Sequence, residues 1–194
     1  MSAKPKILAF AGSARADSFN KKLVKIAAAG ATKAGAEVTL IDLKRYPMPI
    51  YDGDLEQANG IPEPAAKFKK LMIEHDGLLI SSPEYNSSIS ALLKNAIDWA
   101  SRPGGEQEPP LAAFNDKVAG LMAASPGALG GLRGLVHLRA ILGNINVLVL
   151  PGQRAVSKAH EAFNEDGSLK DAKLQEAIEG IGAKVAKTLA KLRS

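Results

Sequence analysis

Apolar residues along the chain follow two kinds of pattern. Short, mainly apolar runs, bounded by polar or turn-forming residues, occupy residues 6–11, 37–43, 77–82, 117–124 and 146–150. That length and continuity predict strands buried on both faces of a parallel sheet. Between the runs the spacing becomes helical. Residues 64–73 begin with a proline, which suits the first turn of a helix. Ile89, Leu92, Leu93, Ala96, Ile97 and Ala100 share one helical face. Leu174, Ile178, Ile181, Val185, Leu189 and Leu192 share another, opposite Lys and Glu, and predict a C-terminal amphipathic helix.

Strands that alternate with helices pair in parallel through right-handed crossovers, and five such units build a doubly wound α/β sandwich of three layers. For this number of elements the expected strand order is 2-1-3-4-5, the flavodoxin-like arrangement. Ligands of such sheets bind beyond the carboxyl ends of the strands, at the switch point between the first and third. The loops after Ala11, Ser82 and Ala124 therefore form the expected site. The connection over residues 44–63 is too long for an ordinary strand-to-helix turn, and loops of that size commonly serve as binding loops or interface arms.

Composition adds limits. The 194 residues, 46% of them apolar, suffice for one full-sized core, and no repeat or shift of composition marks a boundary, so residues 1–194 read as one domain. The sequence has no Cys, which excludes disulfides, thiolate metal sites and cysteine nucleophiles and fits a reducing cytosol. His75, His137 and His160 lie far apart and in no ligand spacing, so no metal site is expected. A formal net charge of +5 would suit nucleic acid, but Lys and Arg are dispersed among Asp and Glu. That distribution predicts a solvated basic surface, able to attract anionic substrates, and no nucleic-acid partner. Residues 1–16 mimic a signal peptide, yet the apolar stretch is too short. Nothing approaches the ~20 apolar residues of a membrane span. The expectation is a cytoplasmic protein with no membrane partner.

The first of the three loops reads G-S-A-R-A-D-S-F-N over residues 12–20. At the entry to a helix, free N–H groups and the helix dipole make an anion site from backbone alone. Arg15 adds a guanidinium fork, Ser13 and Ser18 add hydroxyls, and Asn20 adds an amide. Gly12 permits the sharp turn at the strand end. Taken singly, Ser18 reads equally as an N-cap and Arg15 as an ion-pair partner of Asp17. Together the four donors predict a phosphate site from which Asp17 points away. The loop lacks the P-loop lysine and any second glycine to clear a path for a pyrophosphate, so a monophosphate is expected.

The second loop is S-S-P-E-Y-N-S-S, residues 81–88, in which Pro83 holds Ser82 extended and makes the chain cross the sheet edge in a fixed loop. Its backbone is free to meet a planar heterocycle, with Tyr85 as an aromatic contact and Asn86 and Ser87 as polar ones. Tyr85 also reads as a half-buried packing residue, and Ser88 or Ser90 as a helix cap. The third loop, S-P-G-A-L-G-G over residues 125–131, combines Ser125 with three glycines that permit close approach; alone it reads as a turn without a ligand. Ser13 as a hydrolase nucleophile would depart from G-x-S-x-G, and no His accompanies it in the motif.

Together these stretches resemble the NAD(P)H-dependent FMN reductases, a family that includes cytosolic quinone, azo-dye and chromate reductases. The resemblance spans nearly the whole chain. It rests on residues 12–20, on P-E-Y-N-S-S at 83–88 with the following helix ending in Asp98 and Trp99, and on residues 125–131. Residues 47–56 and 162–169 are similar to that family's intervening loops. The resemblance implies that Ser13, Arg15, Ser18 and Asn20 hold the FMN phosphate. It implies that Pro83, Glu84, Tyr85, Asn86 and Ser87 surround the isoalloxazine, with Ser125 and Gly127 at its other edge. No catalytic side chain is implied, because the flavin N5 carries the chemistry.

The implied reaction is a two-electron ping-pong cycle. NADPH or NADH is the co-substrate and quinones are the small-molecule acceptors, with azo, nitro, flavin or chromate compounds as side substrates. Family members are homodimers or homotetramers with FMN at an interface, which makes the 44–63 arm and the helix through Trp99 contact surfaces. Arg102, just beyond that helix, reads either as a substrate-side residue drawing anionic acceptors or as a helix C-terminal charge. Tyr51, in the arm, is the other substrate-side candidate. The alternative is a flavodoxin-type one-electron carrier or a flavin-binding redox sensor. The basic net charge counts against a carrier that docks on basic partners.

Overall fold

A computed structural model describes residues 3–193. In chain order the elements are β1 (Lys6–Ala11), α1 (Phe19–Lys33), β2 (Glu37–Asp42), a 3₁₀ turn (Leu43–Arg45), α2 (Gly53–Asn59), α3 (Glu63–Glu74) and β3 (Gly77–Ser81). There follow β4 (Glu84–Tyr85), β5 (Ser88–Ile89), α4 (Ala91–Ser101), β6 (Val118–Ala124), α5 (Leu132–Asn144), β7 (Leu148–Val156), α6 (Ala159–Ala162) and α7 (Ala172–Leu192). The five longer strands pair in parallel in the order β2-β1-β3-β6-β7. Counted over this sheet alone, that is the expected flavodoxin-like 2-1-3-4-5 order.

Successive strand residues point to opposite faces of a sheet, and both faces here are apolar. Ile7, Ala9, Leu79, Val118 and Met122 pack with α1 and α7 on one side. Leu8, Phe10, Leu78, Ile80 and Leu121 pack with α3, α4 and α5 on the other. On the first side α1 and α7 meet at backbone distance, because a Cβ on Gly182 would lie 1.8 Å from the Ala27 carbonyl oxygen. That crossing fixes the axis of α1 and so the place where its N-terminus opens.

Beyond shifts of one or two residues at element ends, three differences from expectation have a local reason. β7 runs on to Val156 instead of stopping at Leu150, because Pro151 and Gly152 are absorbed in a bulge. Across it Ala119 pairs with Val149 but Leu121 pairs with Gln153, and Arg139 of α5 donates to the Val149 and Leu150 carbonyls. Ile89 belongs to β5 and not to the α4 face; Ser90 caps α4, its hydroxyl accepting from the Leu93 N–H at 3.1 Å. The long connection contains α2, whose first turn is capped by the Asp52 carboxylate.

Candidate functional site

One buried side chain ties the carboxyl ends of the central strands together. Asn20, in the first turn of α1, donates to the Ala124 carbonyl at 2.9 Å. Its side-chain oxygen accepts from the Ala124 N–H at 3.0 Å and from the Ser81 hydroxyl at 2.8 Å. The oxygen and one amide hydrogen are thereby committed within the chain, leaving the Asn20 side chain a single N–H for a ligand. Gly12 is pinned on both sides: its N–H donates to the Ser81 carbonyl at 2.9 Å, and its carbonyl accepts from Ser90 Oγ at 2.6 Å.

The donors beyond Gly12 are largely unengaged. Ser18 occupies the N-cap position of α1, yet its hydroxyl makes no capping bond although the residue is only 4% exposed. The N–H groups of Phe19 and Asn20 have no backbone or side-chain acceptor among the described residues, as the first turn of a helix dictates. Arg15 is exposed, and its guanidinium makes no hydrogen bond or ion pair with another described residue. Ser13 Oγ accepts only a long contact from the Arg15 N–H, at 3.4 Å. Asp17 turns outward to Lys22 at 2.7 Å, and that hydrogen bond holds its carboxyl below the ordinary range.

The second loop folds into the β4–β5 hairpin. Its two turn residues, Asn86 and Ser87, have φ of 49° and 67°. Two left-handed residues give the turn whose twist matches a hairpin, and Asn-Gly is the pair that adopts it most easily, so Ser87 carries strain. Glu84 anchors the hairpin to the start of α5, its carboxylate accepting from Arg133 Nε at 2.8 Å and the Gly134 N–H at 3.1 Å. Burial pushes the Glu84 carboxyl up, but the Gly134 N–H and the Arg133 guanidinium outweigh it and hold the group below the usual carboxylate range. With Glu84 engaged inward, Tyr85 stands 53% exposed and does not act as a packing residue.

In the third loop, Gly130 and Gly131 are required by structure. They have φ of 62° and 94°, and a Cβ on either would come within 2.7 Å of other atoms. Gly127 is different. Its N–H donates to Ser125 Oγ at 3.3 Å, and a Cβ there would meet only that same oxygen, at 3.7 Å, so the space over it is open to a ligand.

The three loops enclose a cavity of about 70 Å³ lined by Ser13, Arg15, Ser18, Asn20, Pro83, Glu84, Tyr85 and Ser125. Asn86, Ser87 and Gly127 belong to the same loops but are not part of that lining. Phe19, Ala124 and Pro126 complete it; each adjoins a predicted residue, which is the signal that could have found it. The partnership of Glu84 with Arg133 and Gly134 spans 49 and 50 positions and carries no local signal.

Tyr51 and Arg102 come together away from this cavity. Arg102 Nε donates to both Glu56 carboxylate oxygens at 2.9 Å, and the Tyr51 hydroxyl donates to Glu56 at 3.0 Å. The Arg102 hydrogen bond holds the Glu56 carboxyl below its usual range. The guanidinium also lies 5.5 Å from the Tyr51 ring centroid. Trp99, fully buried beneath the arm, donates from Nε1 to the Pro49 carbonyl at 2.8 Å. The arm is thus clamped to α4, and Trp99 itself is no contact surface. Among the described residues, no helix is long and apolar enough to cross a membrane.

A sequence profile of the family described as NADPH-dependent FMN reductase matches residues 5–161. Over 180 residues the chain is 36% identical to an NAD(P)H-dependent FMN reductase of Pseudomonas aeruginosa, covering 92% of each chain. Over 154 residues it is 36% identical to a quinone reductase of Escherichia coli, covering 77% of this chain and 76% of that one. Among solved structures, FerB, a flavoenzyme NAD(P)H:(acceptor) oxidoreductase of Paracoccus denitrificans, is similar with a TM-score of 0.80 at 28% identity, covering 96% of this chain and 98% of that one.

Proposed function

The chain belongs to the NADPH-dependent FMN reductase family, and from that membership we propose that it reduces quinones with electrons from NAD(P)H in a two-electron ping-pong cycle. It is an NAD(P)H-dependent flavoenzyme oxidoreductase with FMN as its cofactor. The observation that carries the site assignment is the Ser18 hydroxyl, which makes no capping bond, beside the free N–H groups of α1 and the unpaired Arg15.

The residues present fit FMN. Ser13, Arg15, Ser18 and the remaining N–H of Asn20 would hold the phosphate, and no carboxylate opposes it because Asp17 and Glu84 are occupied by Lys22 and Arg133. The backbone of residues 83–87 with the Tyr85 ring would hold the flavin ring, and Ser125 and Gly127 its other edge. When bound, FMN supplies the redox chemistry, taking two electrons and a proton from NAD(P)H and delivering them to the acceptor. The chain binds and orients it. Azo, nitro, flavin and chromate compounds are side substrates in this reading.

We read the chain as a single FMN-binding domain, cytoplasmic, and assembled as a homodimer or homotetramer with the flavin at the interface. Exposed Tyr85, Leu129, Leu132 and Val136, on the hairpin and around the start of α5, support a covering copy. With its charge met by Glu56, Arg102 serves to hold the arm more than to draw anionic acceptors. Initial rates with NADPH varied at several fixed benzoquinone concentrations test the cycle. Parallel double-reciprocal lines are expected, and lines that intersect would refute ping-pong turnover.

A further inference from the structure

Beside the phosphate loop, on the side away from the hairpin, a groove of about 580 Å³ runs between α1 and the edge strand β2. Ser18 lines both it and the cavity between the three loops, so the two adjoin across that residue. One wall carries Lys21, Lys22 and Lys25 of α1; the other carries Lys44 and Arg45 of the 3₁₀ turn after β2. Only two carboxylates face these five cations. Asp42 pairs with Lys21 and Asp17 with Lys22, each at 2.7 Å. The side chains of Lys25, Lys44 and Arg45 make no hydrogen bond or ion pair with another described residue.

Like charges converging on a concave surface raise the local concentration of anions, and they repel one another until an anion enters. The groove also offers an apolar floor. Ile41 and the Tyr46 ring are half-buried there, and Leu40 is left 44% exposed. A ligand that satisfies both features is a flat aromatic body carrying a dianion that needs more than one cation. The adenosine 2′-phosphate of NADPH has that chemistry, and the 2′-phosphate is the whole difference between NADPH and NADH.

We propose that this groove receives the 2′-phosphoadenosine end of NADPH and makes NADPH the preferred electron donor. The inference rests on the reductase reading of the adjoining cavity. It assigns Lys44 and Arg45 to specificity, with Lys25 in support, and gives them no part in holding FMN.

The test titrates FMN-loaded protein with 2′,5′-ADP and with 5′-AMP by calorimetry. Three proteins are compared: wild type, Lys44→Ala/Arg45→Ala, and the control Lys170→Ala/Lys187→Ala, which removes the same charge from exposed positions outside the groove. Wild type and control should bind 2′,5′-ADP at least about tenfold more tightly than 5′-AMP, as charge-assisted phosphate contacts warrant. The groove variant should lose that difference. Its kcat/KM should fall about tenfold for NADPH and stay within about twofold for NADH, with FMN content unchanged. Equal affinity for the two nucleotides in wild type, or the same loss in the control, overturns the proposal. Failure of the reductase reading looks different: 2′,5′-ADP would bind as expected while neither NADPH nor NADH reduced the flavin.

Discussion

Among the described residues, Arg15 is the one charged side chain that lines the cavity between the three loops without a protein partner, and replacement by alanine removes it. The side chain is exposed and only its backbone N–H is bonded, to Ser13 Oγ, so the loop should keep its shape. A guanidinium fork on a phosphate makes two charge-assisted hydrogen bonds, each ~1.5–3 kcal/mol when shielded from water. Solvent screening at an exposed site reduces this to about 2–3 kcal/mol for the pair. At about 1.4 kcal/mol per decade, FMN should bind about 30- to 150-fold more weakly. The neutral Ser18→Ala change should cost about fivefold. Arg102→Ala, whose guanidinium is spent on Glu56, should leave FMN affinity unchanged. The assay is quenching of flavin fluorescence on titrating apoprotein, repeated with riboflavin, whose affinity should not respond to Arg15 because it lacks the phosphate. Equal FMN affinity in wild type and Arg15→Ala, or an equal loss for riboflavin, would refute the phosphate assignment.

Three further outcomes follow from the same geometry. Asn20→Ala strips partners from the buried Ala124 N–H and carbonyl and from the Ser81 hydroxyl, and should cost about 2–4 kcal/mol in chemical denaturation as well as FMN affinity; a fully stable variant would show that Asn20 is not the clasp. Ser87→Gly relieves a left-handed serine worth ~1–2 kcal/mol against the entropy of a flexible glycine, for a net gain of about 0.5–1 kcal/mol, read as a higher Tm. The Glu84 carboxyl is held below its unfolded value, so its stabilisation is fully present above about pH 4.5 and is lost as pH falls through the lower folded value. Glu84→Gln should therefore melt below wild type near neutrality and converge with it in acid, whereas a constant gap would place the effect elsewhere.

What was legible in the sequence is what local pattern determines. β1 begins and ends with its apolar run, between Lys6 and the pinned Gly12. The strand order follows from alternating elements, and the loops at the switch point follow from the order. The full length of β7 is not legible locally, because Pro151 and Gly152 signal a turn, whereas Arg139 of α5 holds the bulge. The hairpin in the second loop is not legible in the sequence, because two-residue strands have no periodicity and Asn86-Ser87 lacks the usual glycine. The sequence predicts Asn20 as a phosphate ligand, but its chief engagement is with Ala124, 104 positions away, and only the folded chain shows that. Arg102 likewise met Glu56 from 46 positions away. The α2 start was readable, since Asp52 precedes Gly-Asp-Leu-Glu in an N-cap pattern.

The central claim, that this chain takes electrons from a reduced nicotinamide onto FMN held by the loop at residues 12–20, is tested most directly by an anaerobic titration of the purified protein with NADPH, followed in the visible flavin band. The account predicts a yellow protein that bleaches with stoichiometric NADPH and recovers its colour when benzoquinone is added. A colourless protein that takes up no FMN, or a yellow one that NADPH and NADH both leave oxidised, would contradict it.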